Sequence, residues 1–271
     1  MELSQIYRPL SADAFRCDES YAEIRPSAAL APYVHCFWGT RSVGVKPSGG
    51  GRVIPDTCMD LIFRINYTQN RIDSCFCALD DSPYLTQSAP GSDLCATFGI
   101  RFFAWSAVCF AEDSLRDTMG VRCDPNQFFA GICRALTPEL FETMTLGERA
   151  LKAERVLFAV LRPERQRPEV LNALYAMITA RGILRMEDVS GAAAVSVRQL
   201  QRLFSELIGA APKTVAQVIR FQQVYRQLLE RRYVALDAVE RYGYADQSHL
   251  IREFHRFYGL SPMEMVRRMI G

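Results

Sequence analysis

Through residues 196–212 the apolar positions Leu200, Leu203, Phe204 and Leu207 recur at steps of three and four, the spacing that lines one side of a helix. The pattern returns at a constant offset of fifty residues. Leu200 falls on Leu250, Arg202 on Arg252, Phe204 on Phe254, Gly209 on Gly259 and Pro212 on Pro262. Upstream, Met186, Glu187 and Val189 fall on Leu236, Asp237 and Val239. The unit is a short helix, a turn and a longer helix, used twice over about 184–209 and 234–259. Ser196 and Asp246 suit the N-caps of the longer helices, whose free amides need an acceptor, and Gly209 and Gly259 suit left-handed C-caps. Between the copies Pro212 sits at a helix start, and Val215, Val218, Ile219, Gln222, Val224, Tyr225, Leu228 and Leu229 continue without a breaker. This predicts a joining helix of about 25 Å at roughly 1.5 Å per residue.

The first half follows a different period. Alternating or apolar runs at 33–40, 52–54, 59–65, 73–79 and 95–103 read as strands, separated by turn residues at 46–51, 66–70 and 89–92. They predict a small β-barrel or double sheet. Beyond Asp113 the spacing turns helical, over 115–119, 125–136, 138–144 and 147–161. Residues up to about Tyr21 are mixed and fit a strand or an arm. The charged, proline-containing run 162–168 is the best boundary, giving domains 1–165 and 168–271. The fold class is α+β, with flanking helices on the sheet domain and an all-α second domain.

The positions Ser196, Leu200, Arg202, Phe204, Gly209 and Pro212, then Arg220, Leu228 and Leu229, then Gly243, Tyr244, Asp246, Ser248, Arg252, Phe254, Gly259 and Pro262 resemble the DNA-binding domain of AraC-type transcription regulators. The resemblance covers about the last hundred residues. It implies two helix-turn-helix units on double-stranded DNA, with RNA polymerase a further candidate partner. Members usually carry a small alanine where this chain has Ser190 and Glu240. A carboxylate at a close helix crossing must reach solvent or a partner. Pro55-Asp56 with residues 60–63, and then 99–102, resemble the cupin-like N-terminal half of a subgroup of these regulators, which implies a domain that senses a small-molecule effector.

By position and resemblance the DNA contacts are Ser196, Arg198, Gln199, Gln201 and Arg202 in the first unit, and Gln247, Ser248, His249 and Arg252 in the second, with Lys213 as a phosphate neighbour. Arginine can fork onto guanine and glutamine onto adenine. Each exposed arginine can equally be a solvated surface residue. The net charge of +2 hides an asymmetry: from Pro168 onward 14 Lys and Arg face 10 Asp and Glu, against 18 and 20 before it. Lys213 is the only lysine of the basic part, so its charge is directed rather than diffuse.

Trp38, Phe63, Arg101 and Phe103 are candidate ligand-binding residues: the aromatics can line an apolar cavity, or simply fill the core, and Arg101 can meet an anionic group or pair with Asp56 or Asp60. His35 is the only histidine of the first half, which argues against a histidine metal site, and no cofactor is expected. Cys75 and Cys77 fall on one side of a strand, so two thiols with a third from Cys36, Cys58 or Cys95 can share a soft metal or electrophile. Against that stands the common use of cysteine as a small buried hydrophobe. Nine cysteines, all in the first half and none in a Cys-x-x-Cys, argue against a disulfide framework. Catalytic motifs are absent, so no enzyme is expected, and with no run of eighteen apolar residues and no secretion signal the expected location is the cytoplasm. Self-association through 147–161 is an open alternative to that helix packing on its own sheet. The reading is a sequence-specific DNA-binding transcription regulator under small-molecule control; the alternative is a thiol-based metal or redox sensor.

Overall fold

The computed structural model describes residues 2–10, 21–45, 49–88, 91–230 and 235–270. Cys17, the turn residues 46–48 and the turn residues Ala89 and Pro90 lie outside the described residues, as does the end of the expected N-terminal arm.

After a single helical turn α1 (Leu3–Ile6) come the strands β1 (Tyr21–Ile24), β2 (Val34–Thr40), β3 (Gly44–Val45), β4 (Gly49–Val53), β5 (Cys58–Asn66), β6 (Arg71–Cys77), β7 (Tyr84–Ser88), β8 (Leu94–Phe103) and β9 (Arg122–Cys123). Seven of them form an antiparallel sheet in the order β1-β2-β8-β5-β6-β9, with β3 also on β8, while β4 and β7 pair as a separate two-stranded sheet. A double sheet thus stands where a small barrel or double sheet was expected. The helices follow: α2 (Asn126–Leu140), α3 (Leu146–Val160), α4 (Pro168–Thr179), α5 (Met186–Ala192), α6 (Val197–Ile208), α7 (Pro212–Leu229), α8 (Ala235–Arg241), α9 (Gln247–Tyr258) and α10 (Pro262–Ile270).

Alternation along the strands sends Phe37, Phe63, Phe76, Phe98 and Phe102 to one side, all fully buried. Phe98 stacks between Phe37 and Phe63 at 6.1 and 6.4 Å, and α2 drives Phe129 against Phe76 and Phe102 at 4.9 and 5.9 Å. The helix α3 starts on a capping box in which Thr145 and Glu148 satisfy each other's amides. It packs on α2 and leaves Leu151 and Phe158 exposed beside a shallow cleft of about 450 Å³.

Two helix expectations fail. Residues 115–119 form turns, because Asp117 and Gly120 take positive φ and the Leu115 amide is donated to the Glu206 carbonyl of α6. Nor do 125–136 and 138–144 make two helices. Pro138 lies inside α2, two residues before its end, where the amide it lacks interrupts little, and the break in helical geometry comes instead at Phe129.

The core does not stop at the expected boundary. Buried residues of the sheet and of α2 and α3 run without a gap into Val189, Leu200, Leu203, Phe204, Ile208 and Val215 of the first helical unit. A second cluster surrounds Phe221, Tyr225, Leu250, Phe254 and Phe257, and takes in Ile54 from the strand side. The joining helix α7 therefore shows one side to each cluster. Gln222, in the middle of its apolar run, is buried: its Nε2 donates to the Leu10 and Pro55 carbonyls at 2.8 and 2.7 Å, and its Oε1 accepts from Leu10 N at 2.8 Å. That is how an amide is accommodated among apolar neighbours.

Candidate nucleic-acid interface and ligand face

The two longer helices begin and end as their sequence predicts. Ser196 accepts from the Gln199 amide at 3.2 Å and Asp246 from the His249 amide at 2.6 Å. Gly209 and Gly259 close the helices at φ 72° and 82°. At Gly209 an added Cβ would lie 2.1 Å from the Thr118 hydroxyl, so both the backbone angle and the docked loop require glycine.

With Leu200, Leu203 and Phe204 turned inward, Arg198, Gln199, Gln201 and Arg202 are exposed on α6, and Ser196 and Lys213 flank them in solvent. On α9, Gln247, Ser248 and Arg252 are exposed in the same way. His249 departs from this pattern. Half-buried, it sets its ring edge-on to Tyr244 at 5.3 Å, with Nδ1 3.5 Å from the Ala245 amide, so part of its role is to hold the turn. Among the described residues none pairs ionically with Arg198, Arg202, Lys213 or Arg252, which leaves these cations available to a polyanion.

Beneath α9 lies an ion pair that the sequence pattern did not expose. Arg220 of α7 grips Glu253 side-on, donating from Nε at 2.9 Å and from Nη2 to the other carboxylate oxygen, and Tyr244 donates to the same carboxylate at 2.8 Å. The side chains are 12% and 5% exposed. Burial works against the Arg220 charge, but Glu253 outweighs it and holds the guanidinium above its usual range. Glu240 reaches solvent, and Ser190 turns its hydroxyl back to the Glu187 carbonyl at 2.9 Å, so neither departure from alanine leaves an unsatisfied group.

The sheet half touches both units. Ser114 Oγ and the Leu115 amide donate to the Glu206 carbonyl at 3.0 and 2.9 Å, and Arg116 meets the Glu206 carboxylate at 2.7 Å. Arg52 donates to the Tyr258 carbonyl at 2.6 Å and lies over its ring, while Asp81 pairs with Arg256. Both sets bear on the C-terminal halves of α6 and α9, away from the exposed cations near their starts.

The candidate ligand residues divide between the two sides of the sheet. Phe63 is in the helix-covered core. Trp38 and Arg101 share the other side: the indole lies on Gly99, where a Cβ would come within 2.2 Å of the ring, and donates from Nε1 to Asp60 at 2.7 Å. Arg101 meets both Asp60 oxygens at 3.0 Å and sits 5.6 Å from the Trp38 ring centre. Its charge is therefore spent on Asp60, the pairing foreseen as the alternative to binding an anion. Phe103 is buried between Trp105, stacked at 4.6 Å, and the edge of His35. Burial first, then Arg101, Arg8 and Arg25, lowers His35 to about 3. Cys36 and Cys58 are buried and protonated, the small-hydrophobe role. Among the described residues no three His, Cys, Asp or Glu are placed to hold a metal ion, so the alternative in which a third thiol joins Cys75 and Cys77 finds no support there.

Residues 189–268 match a helix-turn-helix domain family. The C-terminal helices are an AraC-type helix-turn-helix domain. Residues 22–124, which span the sheet, match a domain of unknown function (DUF6597). No curated protein matches the chain. Similar solved structures include ToxT from Vibrio cholerae. An apo variant from strain SCE256 is 9% identical with a TM-score of 0.42, covering 85% of this chain and 97% of that chain. The wild type from that strain, bound to an unsaturated fatty acid, is 10% identical at 0.39, covering 92% and 95%. ToxT from strain O395 is 9% identical at 0.41, covering 94% and 100%. As for membranes, no described helix is long and apolar enough to cross one.

Proposed function

We propose that this protein is a sequence-specific DNA-binding transcription regulator controlled by a small molecule bound in its sheet domain. The observation that carries the reading is the repeated presentation of unpaired cations: Arg198 and Arg202 with Gln201 on α6, and Arg252 with Gln247 on α9, each on a capped, amphipathic helix. The eighteen residues of α7 make a rod of about 27 Å between the units, of the order of the roughly 34 Å that separates successive major-groove windows on one side of a duplex. Ser196, Gln199, Ser248 and Lys213 suit phosphate contacts near the helix starts. Effector control is supported by the seamless packing of α6 against the sheet domain, since a shift in one must be accommodated by the other.

Selection from a pool of random duplexes tests this directly. A regulator of this kind enriches one sequence, and its affinity falls as salt rises. On the selected duplex Arg202→Ala should cost about 1–3 kcal/mol, roughly fivefold to 150-fold in affinity, with much less effect on random DNA. Equal losses on both would reduce Arg202 to a phosphate contact, and failure to enrich any sequence would sink the reading.

A further inference from the structure

On β6 the residues Cys75 and Cys77 point to the side of the sheet that α2 and α3 leave uncovered, and their Sγ atoms lie 3.9 Å apart. Both are half-buried. The register extends the picture across four strands: Cys75 faces Ile62, which faces Gly99, which faces Trp38, and the indole lies flat along that row. Cys77 faces Asp60, whose carboxylate is already held by Arg101 and Trp38. The cluster is thus two thiols at the end of an apolar floor, beside a neutralised carboxylate.

Two common uses of paired thiols fit poorly. Residues two apart on a strand have Cα atoms about 6.6 Å apart, at the outer limit for a disulfide, and both cysteines belong to a ladder that would have to bend to close one. A metal ion needs a further protein ligand, and among the described residues no third donor is placed there. What two adjacent thiols can complete is a centre that brings its own remaining substituent. We infer that Cys75 and Cys77 form a two-thiol binding site for a trivalent organoarsenic species, with the organic group lying over Ile62 and towards Trp38.

Binding is a condensation with no redox change. An arsonous acid carries two hydroxyls and one organic group on arsenic; two As–O and two S–H bonds break, two As–S bonds form, and two waters leave with arsenic still trivalent. Burial, Cys75 and Asp60 push the Cys77 thiol up to about 12, so that thiol rests protonated and is a slow nucleophile towards peroxide. As an effector site the pair rests on the ligand control proposed above, but its occupancy is read without DNA.

The test treats the full-length protein with phenylarsonous acid under reducing, oxygen-free conditions and follows intact mass and free thiols. The expected result is one adduct at low stoichiometry, heavier by the acid minus two waters, with two thiols lost. It should survive excess monothiol and be stripped by 2,3-dimercaptopropanol. Cys75→Ser and Cys77→Ser should each weaken it roughly a hundredfold, since the second bond otherwise gains from effective concentration. Cys123→Ser, opposite Phe76 on the other side of the sheet, should leave it unchanged. Thermal melts confirm that each serine variant is folded, and Cys75→Ala replaces one that is not. Full-strength binding by both serine variants, or no adduct on the parent protein, overturns the site. Retardation of DNA by the untreated protein is scored separately, so loss of DNA binding with the adduct intact counts against the regulator and not against the thiol pair.

Discussion

In the first helical unit α6 buries Leu200, Leu203, Phe204 and Ile208 in a core shared with the sheet, whereas in the second α9 buries Leu250, Phe254 and Phe257 in a separate cluster above the Arg220–Glu253 pair. The template is one and the supports differ. Apolar packing is non-directional and scales with area, so the first unit is bound into the sheet domain as one body. The second is oriented by a few directed bonds and reaches the sheet domain mainly through Ile54, Arg52 and Asp81. The sheet domain therefore meets α6 through shared packing, and the second unit through Ile54 and a few polar contacts.

The largest expected effect sets Phe204→Ala against Phe254→Ala. Each deletes a fully buried ring and should cost about 3–5 kcal/mol. Trp38 and Trp105, the only tryptophans, both lie in the sheet domain, so their fluorescence reports on it while far-ultraviolet circular dichroism reports on the helices. Phe204→Ala should lower the denaturant midpoint of both signals together, and Phe254→Ala that of the helical signal first. Coincident loss in both variants would erase the contrast. Next in size, Glu253→Gln strands the Arg220 charge beneath α9 and should destabilise the second unit by about 3 kcal/mol. The pair Arg220→Met with Glu253→Leu should recover most of that by the same dichroism measurement, since the cost is an unpaired charge. If the double variant is no better than the single one, the pair is not what holds α9.

The last effect is a pH dependence of the body that contains α6, small just below neutrality and growing only as the pH falls towards 3. Unfolded, His35 takes up a proton below its ordinary value of 6.5; folded, it does so only near 3. Stability from this group is whole above about 6.5 and declines as pH falls towards 3, by at most about 1.4 kcal/mol per unit. Urea midpoints read by tryptophan fluorescence should fall over that range in the parent protein and stay flatter in His35→Gln. Parallel profiles would remove His35 from the account.

Much of this architecture is legible in the chain. Caps at Ser196 and Asp246, closing glycines at 209 and 259 and the outward place of Arg202 and Arg252 all follow from spacings of three and four residues. The pairing of Cys75 with Cys77 follows from strand alternation. Short elements such as β9 escape because two residues carry no period, and 115–119 misleads because its amide is claimed by Glu206, some ninety positions away. Glu253 escaped too: on the sequence it is one more acid in a helix, and only the approach of α7 gives it Arg220.

What the amino-acid order determined by itself was the doubled helical template, its ends and the side each helix shows to solvent, because capping and amphipathic spacing act within one or two turns. The tertiary structure alone decided that α6 shares the sheet's core, that Arg101 is spent on Asp60, and that a thiol pair ends an apolar row beginning at Trp38. Those outcomes depend on which distant surfaces meet, and burial strengthens or cancels a charge only once the partner strand or helix has arrived.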